Sequence, residues 1–458
     1  MEELKYRRED EMKDSGIEWL GKIPREWGVT KLKYKLNSFE SGKRETFYKE
    51  EVLSIGGEHI LNGKFNLKNP RYVSYKFYIN SNQGKIKEGD ILLVKDGATI
   101  GKTMFVDKLN FNTMVNEHVY RLEYSKYGYY VILSNSTQKQ FWMKNNSTAQ
   151  ESINSNTLKN IDIVKNSIEE QQKIANFLDH KTSQFDSIIS KKEKLIEKLE
   201  EAKKSLISEV VTGKVKIIDG EMVERKQEEM KDSGVEWLGM IPKDWEVKRL
   251  KYITDKVGSG KTPKGGSEVY VDKGILFLRS QNIQNEGLRL DDVVNIDKKT
   301  DREMSNTRVN YEDILLNITG ASIGRATIFL NKDQLANVNQ HVCIIRLRKN
   351  IKHKKFYLYS IQSNCIQNQI MSYQNGASRE GLNFEQIKNL LFIVPLNIRE
   401  KEVILGYLGR ISSNINNIIN KTKTQIQKLK EAKQSLISEA VTGKIDLRDW
   451  EIREVDDL

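Results

Sequence analysis

The chain has 458 residues, with 75 Lys and Arg against 63 Asp and Glu and a net charge of +12. That length exceeds one ordinary core, and its two cysteines, Cys343 and Cys365, exclude a disulfide framework or a four-thiolate metal site, so both read as small buried apolar residues. The first residues are charged and no apolar run approaches the roughly 18 residues of a membrane span, so a soluble, untargeted, cytoplasmic chain with no membrane partner is expected.

In chain order, an acidic connector (1–23, charge −2) leads into a first globular region (24–168) with 22 basic and 14 acidic residues. Short apolar runs, among them Val52–Ile55 and Asp90–Val94, read as strands separated by Gly, Asn and Asp turns. Tyr127–Lys144 reads as one helical run, followed by an Asn/Ser-rich loop (145–156) and a short helical turn feeding an edge strand at Ile161–Val164. Glu169–Val215 then reads as a long helix with apolar residues at Leu178, Phe185, Ile188, Leu195, Leu199, Ala202 and Leu206, a heptad spacing. Lys181, Lys192 and Thr422 interrupt the stripes. Gly213 supplies the left-handed C′ position that ends such a helix.

After a second acidic connector (216–241, −3) the same order returns. Met12–Tyr34 recurs as Met230–Tyr252 with 16 of 23 positions identical, Gly89–Lys102 as Glu312–Arg325, and the helix as Arg399–Ile445, at offsets of 218, 223 and 230. The offsets rise in chain order, so the chain is one tandem duplication with insertions in its second half. The second globular region (242–398) holds 24 basic and 16 acidic residues, again +8, with strands at Ile275–Leu278, Asp313–Leu316 and Val342–Leu347, a helical run at Lys354–Met371, a loop at 372–383 and an edge strand at Phe392–Val394. Its helix carries Leu408, Ile411, Ile415, Ile418, Leu429, Ala432 and Leu436, and an acidic tail (446–458, −4) closes the chain. The expected fold is α+β: two mixed, strand-rich domains joined by two long helices in an antiparallel coiled coil, related by an internal pseudo-two-fold repeat.

Catalytic motifs are wanting. Gly258-Ser259-Gly260-Lys261-Thr262 has Asp255 where a Walker A loop needs its first Gly. Asn69-Pro70-Arg71-Tyr72 reads as a turn, and no proline precedes Asp. His118 and His341 occupy equivalent places without further ligands in both copies, and read as satisfied core histidines. What remains are basic, polar loops where the copies differ most. Lys43, Arg44, Lys64, Lys68, Arg71 and Lys76 in the first region (41–44 and 62–76), and Lys261, Lys264, Arg279, Gln281, Asn282 and Arg289 in the second, are side chains able to meet phosphates and base edges. Positive globular regions with acidic connectors fit regions that face a polyanion and connectors that face protein. Trp19, Trp237 and Leu238 in the duplicated connector are therefore the expected partner-binding residues.

These passages together resemble the specificity subunit of type I restriction-modification systems, which has two target-recognition domains separated by helical spacers. The residues carrying the resemblance are Gly89–Lys102 and Glu312–Arg325, Asn339-Gln340-His341, Gly376 to Leu390 leading to Val394-Pro395-Leu396, and Glu169–Ile174. The usual Pro-Pro-Leu-x-Glu-Gln junction is Lys165–Gln171 in one copy and has Arg399-Glu400-Lys401 for its Glu-Gln in the other. The resemblance implies a non-catalytic subunit that reads a bipartite, asymmetric duplex DNA target and binds no cofactor. It implies two modification subunits that bind S-adenosylmethionine and methylate adenine, and restriction subunits that use ATP and Mg²⁺. The helices are expected to set the half-site spacing, since about 30 residues at 1.5 Å span roughly 45 Å, comparable to the ~34–36 Å between half-sites one DNA turn apart. Two alternatives stand beside it: a stand-alone DNA methyltransferase, which would need a cofactor loop and a catalytic loop that the sequence does not show, and a coiled-coil DNA-binding scaffold or regulator without a bipartite target.

Overall fold

The computed structural model describes residues 4–45, 49–61, 63–143, 152–374 and 381–451. Asn62, most of the first Asn/Ser-rich loop and half of the second, Gly376 and most of the acidic tail lie outside the described residues. The chain forms two compact units, one of residues 1–192 with 424–458, the other of residues 193–423.

In the first unit a four-stranded antiparallel sheet runs Thr103–Phe105, Asp90–Val94, Val119–Glu123, Ser38–Ser41. A three-stranded sheet runs Thr113–Val115, Val52–Ile55, Tyr72–Val73, its first pair parallel. Every residue of Asp90–Val94 is buried because the strand has core on both faces. Side chains alternate across a strand, so Ile91 and Leu93 pack with Tyr127, Val131 and Ile132, while Leu92 and Val94 pack with Ile55, Ile60 and Val115. The second unit repeats this plan. Thr254–Ser259, Val342–Leu347, Ile314–Asn317 and Ala326–Ile328 form its four-stranded sheet, and a five-stranded sheet contains the parallel pair Ile275–Leu278 and Ala336–Val338. Leu315 faces Val338 and Leu276 on one side, and Ile314 and Leu316 face Tyr357 and Ile361 on the other.

Each expected helical run is in fact two helices: Lys126–Leu133 and Asn135–Met143, and Lys354–Gln362 and Asn364–Ser372. The breaks fall at Ser134 and Ser363, both in extended backbone. In each case a serine of a long helix caps the second piece: the Asn135 N–H donates to Ser438 Oγ at 2.9 Å, and the Asn364 N–H to Ser208 Oγ at 2.8 Å. Ser208 and Ser438 are the last serines of the duplicated Ser-Leu-Ile-Ser-Glu passages.

The long helices are Ile168–Val211 and Ile398–Val441. Both end in a Schellman motif: Gly213 and Gly443 sit at φ 74° and 73°, and Lys214 and Lys444 donate to the carbonyls of Glu209 and Glu439 at 3.1 and 2.9 Å. In the first unit Lys433 Nζ meets Asp186 at 2.7 Å and Lys192 Nζ meets Gln425 Oε1 at 2.7 Å; in the second Lys203 Nζ meets Asn416 Oδ1 at 2.9 Å. As one number rises the other falls, so the pairing is antiparallel. The lysine–partner pairs Lys433–Asp186 and Lys203–Asn416 are equivalents at the 230 offset.

The seam differs from the expected stripe. It runs Leu178, Thr182, Phe185, Ile189, Lys192, Ile196, Leu199, Lys203, Leu206, Val210, and at the same offset Leu408, Ser412, Ile415, Ile419, Thr422, Ile426, Leu429, Lys433, Leu436, Ala440. Ile188, Leu195, Ala202, Ile418 and Ala432 lie outside it, exposed, and Ile411 sits at its edge. Adjacent apolar residues (Ile188-Ile189, Leu195-Ile196, Ile418-Ile419) offer two registers, and the one carrying Thr182 and Lys203 places Leu178 and Val210 at the buried ends.

The ends of the seam join the domain cores. Leu436, Ile437, Ala440 and Val441 pack with Ile23, Trp27, Ile174 and Phe177 in the first unit; Ile207, Val210 and Val211 pack with Ile241, Trp245, Ile404 and Leu408 in the second. Trp27 Nε1 donates to Glu170 at 2.7 Å and Trp245 Nε1 to Glu400 at 3.0 Å, with Arg7 and Arg225 stacked on the respective rings. Burial holds the Glu400 carboxyl above its ordinary range against the Trp245 N–H and Arg225 that favour its charge. In the second unit the chain leaves its helix as a hairpin, Val215–Ile218 against Glu221–Glu224, turning through Asp219 (φ 51°) and Gly220 (φ 83°), a pair of positive φ values fitting a type I′ turn. In the first unit the equivalent ladder is made by the chain ends: the Arg7 N–H donates to Lys444 O, the Asp446 N–H to Lys5 O, and Tyr6 bridges to Ile445.

Candidate nucleic-acid interface

In the first unit four loops meet beyond the ends of the parallel strands Val52–Ile55 and Thr113–Val115. Gly42, ahead of Lys43 and Arg44, passes so close to the neighbouring strand that a Cβ there would lie 1.5 Å from Val115 O, and its N–H donates to Asn116 O. The turn Gly56–His59 abuts Asn116 and Thr99. The second unit matches: a Cβ on Gly260 would fall 1.7 Å from Val338 O, the Gly260 N–H donates to Val342 O, and Asn317 Nδ2 donates to Ser280 O at 2.8 Å.

The turn after each parallel strand is held by a different side chain. The Gly56 N–H donates to His59 Nδ1 at 2.9 Å and His59 Nε2 lies 3.0 Å from Asn69 O, an arrangement that calls for the neutral Nε2–H tautomer. At the equivalent place the Arg279 N–H donates to Asn282 Oδ1, while Asn282 Nδ2 donates to Arg289 O at 2.9 Å and Asp292 Oδ1 at 3.1 Å. Asn282 is wholly buried. It holds the loop and presents nothing outward, which corrects its expected role as a DNA contact.

A polar chain links the basic loop to the far loop in each unit. Arg44 lies 3.8 Å from Glu117, Glu117 lies 3.4 Å from His118 Nε2, and His118 Nδ1 is 2.6 Å from Asp96. Thr262 donates to Gln340 Oε1 at 2.6 Å, Gln340 meets His341 Nε2 at 3.0 Å, and His341 Nδ1 lies 2.7 Å from Thr319 Oγ1. His118 is exposed and His341 half-buried, so neither is the core histidine the sequence led us to expect; the buried histidine is His59. One chain is acidic and the other neutral. Buried atoms without a partner among the described residues include Glu117 Oε2, Arg279 Nε and Asn317 Oδ1, all in these clusters.

Of the other basic residues, Lys43, Lys64, Lys68, Lys261 and Lys264 are exposed. Arg71 pairs with Glu58 at 2.9 Å and Arg289 with Asp291 at 3.5 Å. Arg279 donates to the backbone carbonyl of Asp292 at 2.8 Å and Gln281 to its carboxylate, so Asp292 organises this loop, a residue that sequence reading passed over. Lys76 stands on a short helix, Tyr75–Asn80, capped by Ser74, and among the described residues no contact ties it to the four loops. Burial pushes the thiols of Cys343 and Cys365 up to about 12 and about 11, as packing residues.

A different surface surrounds the duplicated tryptophans. Trp19, with Glu18, Lys139, Trp142 and Met143, lines a groove of about 390 Å³. Trp237 is 55% exposed, and Met371, the equivalent of Trp142, is 53% exposed. Leu238 is half-buried and packs against the cluster of Ile207, Val210 and Trp245, beneath this surface.

The fold and its paired loop clusters define a class: tandem-repeat proteins in which two strand-rich domains share an antiparallel helix pair. The chain belongs to the type I restriction-modification specificity subunits: the family described as the type I restriction modification DNA specificity domain matches residues 24–201 and 242–428. It is 25% identical over 454 residues to the type I restriction enzyme MjaIX specificity subunit of Methanocaldococcus jannaschii, covering 96% of this chain and 98% of that one. It is 24% identical over 295 residues to the EcoBI specificity subunit of Escherichia coli, covering 64% and 60%. A chain in a solved structure of the type I R-M system shares the fold at a TM-score of 0.61 and 13% identity, covering 92% of this chain and 99% of that one. Among the described residues no helix is long and apolar enough to cross a membrane.

Proposed function

We propose that the chain is the non-catalytic, sequence-reading subunit of a type I restriction-modification complex. Each unit's loop cluster reads one half of a bipartite, asymmetric duplex DNA target. The observation that carries this is the pairing of like frames with unlike side chains: the same glycine approach and a turn pinned from within, by His59 in one unit and Asn282 in the other, carry Lys43-Arg44 and an acidic chain in one unit, and Lys261-Thr262 and a neutral chain in the other. Two identical readers would favour a symmetric target; two different readers favour an asymmetric one.

In this reading two modification subunits supply S-adenosylmethionine-dependent adenine methylation, and restriction subunits supply ATP- and Mg²⁺-dependent translocation and cleavage. The exposed faces around Trp19 and Trp237 recruit the two modification subunits, one each. The test is methylome sequencing of a strain carrying this chain and its partner subunits. A two-part motif with unlike halves, lost when the chain is deleted, is expected. Tight binding of the purified complex to random duplexes with no preferred motif would replace this reading with that of a scaffold. Replacing Trp237 with a polar residue is expected to lower the count of bound modification subunits from two to one by native mass, with the chain still folded.

A further inference from the structure

The loops Gly97–Lys102 and Gly320–Arg325 are built alike in the two units. Each has left-handed glycines at its first and fifth positions: Gly97 and Gly101 at φ 83° and 82°, Gly320 and Gly324 at 69° and 84°. Each is pinned by one glutamine from the paired helices. Gln138 Nε2 donates to Gly101 O at 3.2 Å and Ile132 O at 2.9 Å, and Gln367 Nε2 donates to Gly324 O at 2.9 Å and Ile361 O at 2.8 Å. A Cβ on Gly101 or Gly324 would come within 2.6 or 2.5 Å of that amide, so the close approach is built in. Each loop ends on an exposed cation, Lys102 or Arg325. Arg325 makes only a 3.4 Å contact with Gln284 Oε1, and Lys102 meets no acceptor among the described residues.

The side chains around these loops differ between the units: Arg44 against Thr262, Glu58-His59 against Gln281-Asn282, Glu117 against Gln340, Asp96 against Thr319. Two domains that read different half-sites on one polymer meet different bases but the same sugar–phosphate backbone. What stays the same in both is suited to the backbone, and what changes is suited to the bases. An exposed cation kept as a charge but not as a residue type matches a phosphate, which asks for a charge, more than a base edge, which asks for a donor pattern.

We propose that Lys102 and Arg325, each at the end of a glutamine-pinned loop, contact a backbone phosphate and hold their domain at a fixed register on the duplex while the loops around them read bases. The inference rests on the DNA-reading function proposed above. It adds two binding residues whose role is the same in both domains and independent of sequence.

The test uses the full chain purified with its modification subunits, titrated between 0.05 and 0.3 M salt against a duplex carrying the methylome-defined motif and against a scrambled duplex. For Lys102→Ala and for Arg325→Ala, the slope of log K against log salt is expected to flatten by about 0.9, one phosphate contact. Binding to both duplexes should weaken by the same factor, about fivefold at 0.15 M, with the methylated motif unchanged. Lys102→Arg should restore slope and affinity; a charge-keeping variant as weak as alanine overturns the proposal, because it places the loss in the fold. An unchanged slope in both alanine variants, or altered bases in the motif, also overturns it. The underlying reading fails separately, and takes the inference with it, if the unaltered complex binds the scrambled duplex as tightly as the motif duplex.

Discussion

His59 and Asn282 stand at equivalent positions and close the same turn with different chemistry, one with an imidazole between a backbone N–H and a carbonyl, the other with a carboxamide between an N–H, a carbonyl and Asp292. His59→Ala leaves a buried N–H and a carbonyl without partners and is expected to cost about 1–3 kcal/mol, read by denaturant unfolding. His59→Asn is expected to recover roughly half of that loss, because the amide restores the bond to the Gly56 N–H; an Asn variant no more stable than alanine would show that the two turns are not interchangeable. Lys43 and Arg44 follow a glycine that a Cβ would drive into the neighbouring strand, and both are exposed. The double alanine variant should fold normally yet bind more weakly, with a salt slope lower by up to about 1.8 if both meet phosphates, or with one relaxed base position and a loss of roughly 1–3 kcal/mol where one meets a base. Unchanged binding and methylation across several salt concentrations would remove both from the interface. Residue type alone singled out Lys43, Arg44, Lys261 and Lys264, and the structure leaves all four exposed. Residue type misplaced Asn282, because whether an Asn faces a base or its own backbone depends on a turn that only the folded loop defines.

At the scale of elements, the repeated helices, their glycine caps and the main strands could be read from periodicity and spacing, since these are local properties. Two features could not. The helix breaks at Ser134 and Ser363 depend on serines more than 150 residues away, Ser438 and Ser208, that cap the second piece. The seam register depends on which of two neighbouring stripes finds a partner. Ile189 is 8% exposed and Ile188 44%, so Ile189→Ala is expected to destabilise by about 2–3 kcal/mol and Ile188→Ala by less than about 0.5 kcal/mol. Equal losses in thermal or denaturant unfolding would restore the stripe first read from the sequence. If the helix pair sets the half-site spacing, four residues inserted after Lys198 lengthen one helix by ~6 Å, close to two base-pair steps. The methylated half-sites should keep their sequence while the gap between them widens by one or two base pairs. An unchanged gap with full activity would refute the spacing role, and altered half-site bases would show that reading is not confined to the loop clusters.

For the molecule as a whole, the first unit closes between chain ends where the second closes through the hairpin at Asp219-Gly220. The same ladder serves both, so the position of the termini is a matter of where one turn was left open. A chain opened between Asp219 and Gly220, with Glu451 joined to Leu4 by a short flexible linker, is expected to fold, to melt within a few degrees of the original and to direct methylation of the same motif. An insoluble product, or a changed motif, would show that the covalent hairpin has a role its noncovalent counterpart lacks.

The antiparallel seam also places a demand on biosynthesis. Lys203 waits for Asn416, 213 residues further on, and Asp186 for Lys433, 247 further on. At ~5–20 residues per second a ribosome needs about 10–50 s to supply them. Throughout that interval Phe185, Ile189, Ile196 and Val210 of the first helix lack the second helix that covers them, with the polar Thr182, Lys192 and Lys203 set among them. Because the two helices share one seam pattern, the surface that fits it best in the meantime is the same helix on a neighbouring nascent chain, where Lys203 would find Asp186 in place of Asn416. Assembly of one correct chain is therefore a race between completion of its own second helix and capture by a neighbour's first.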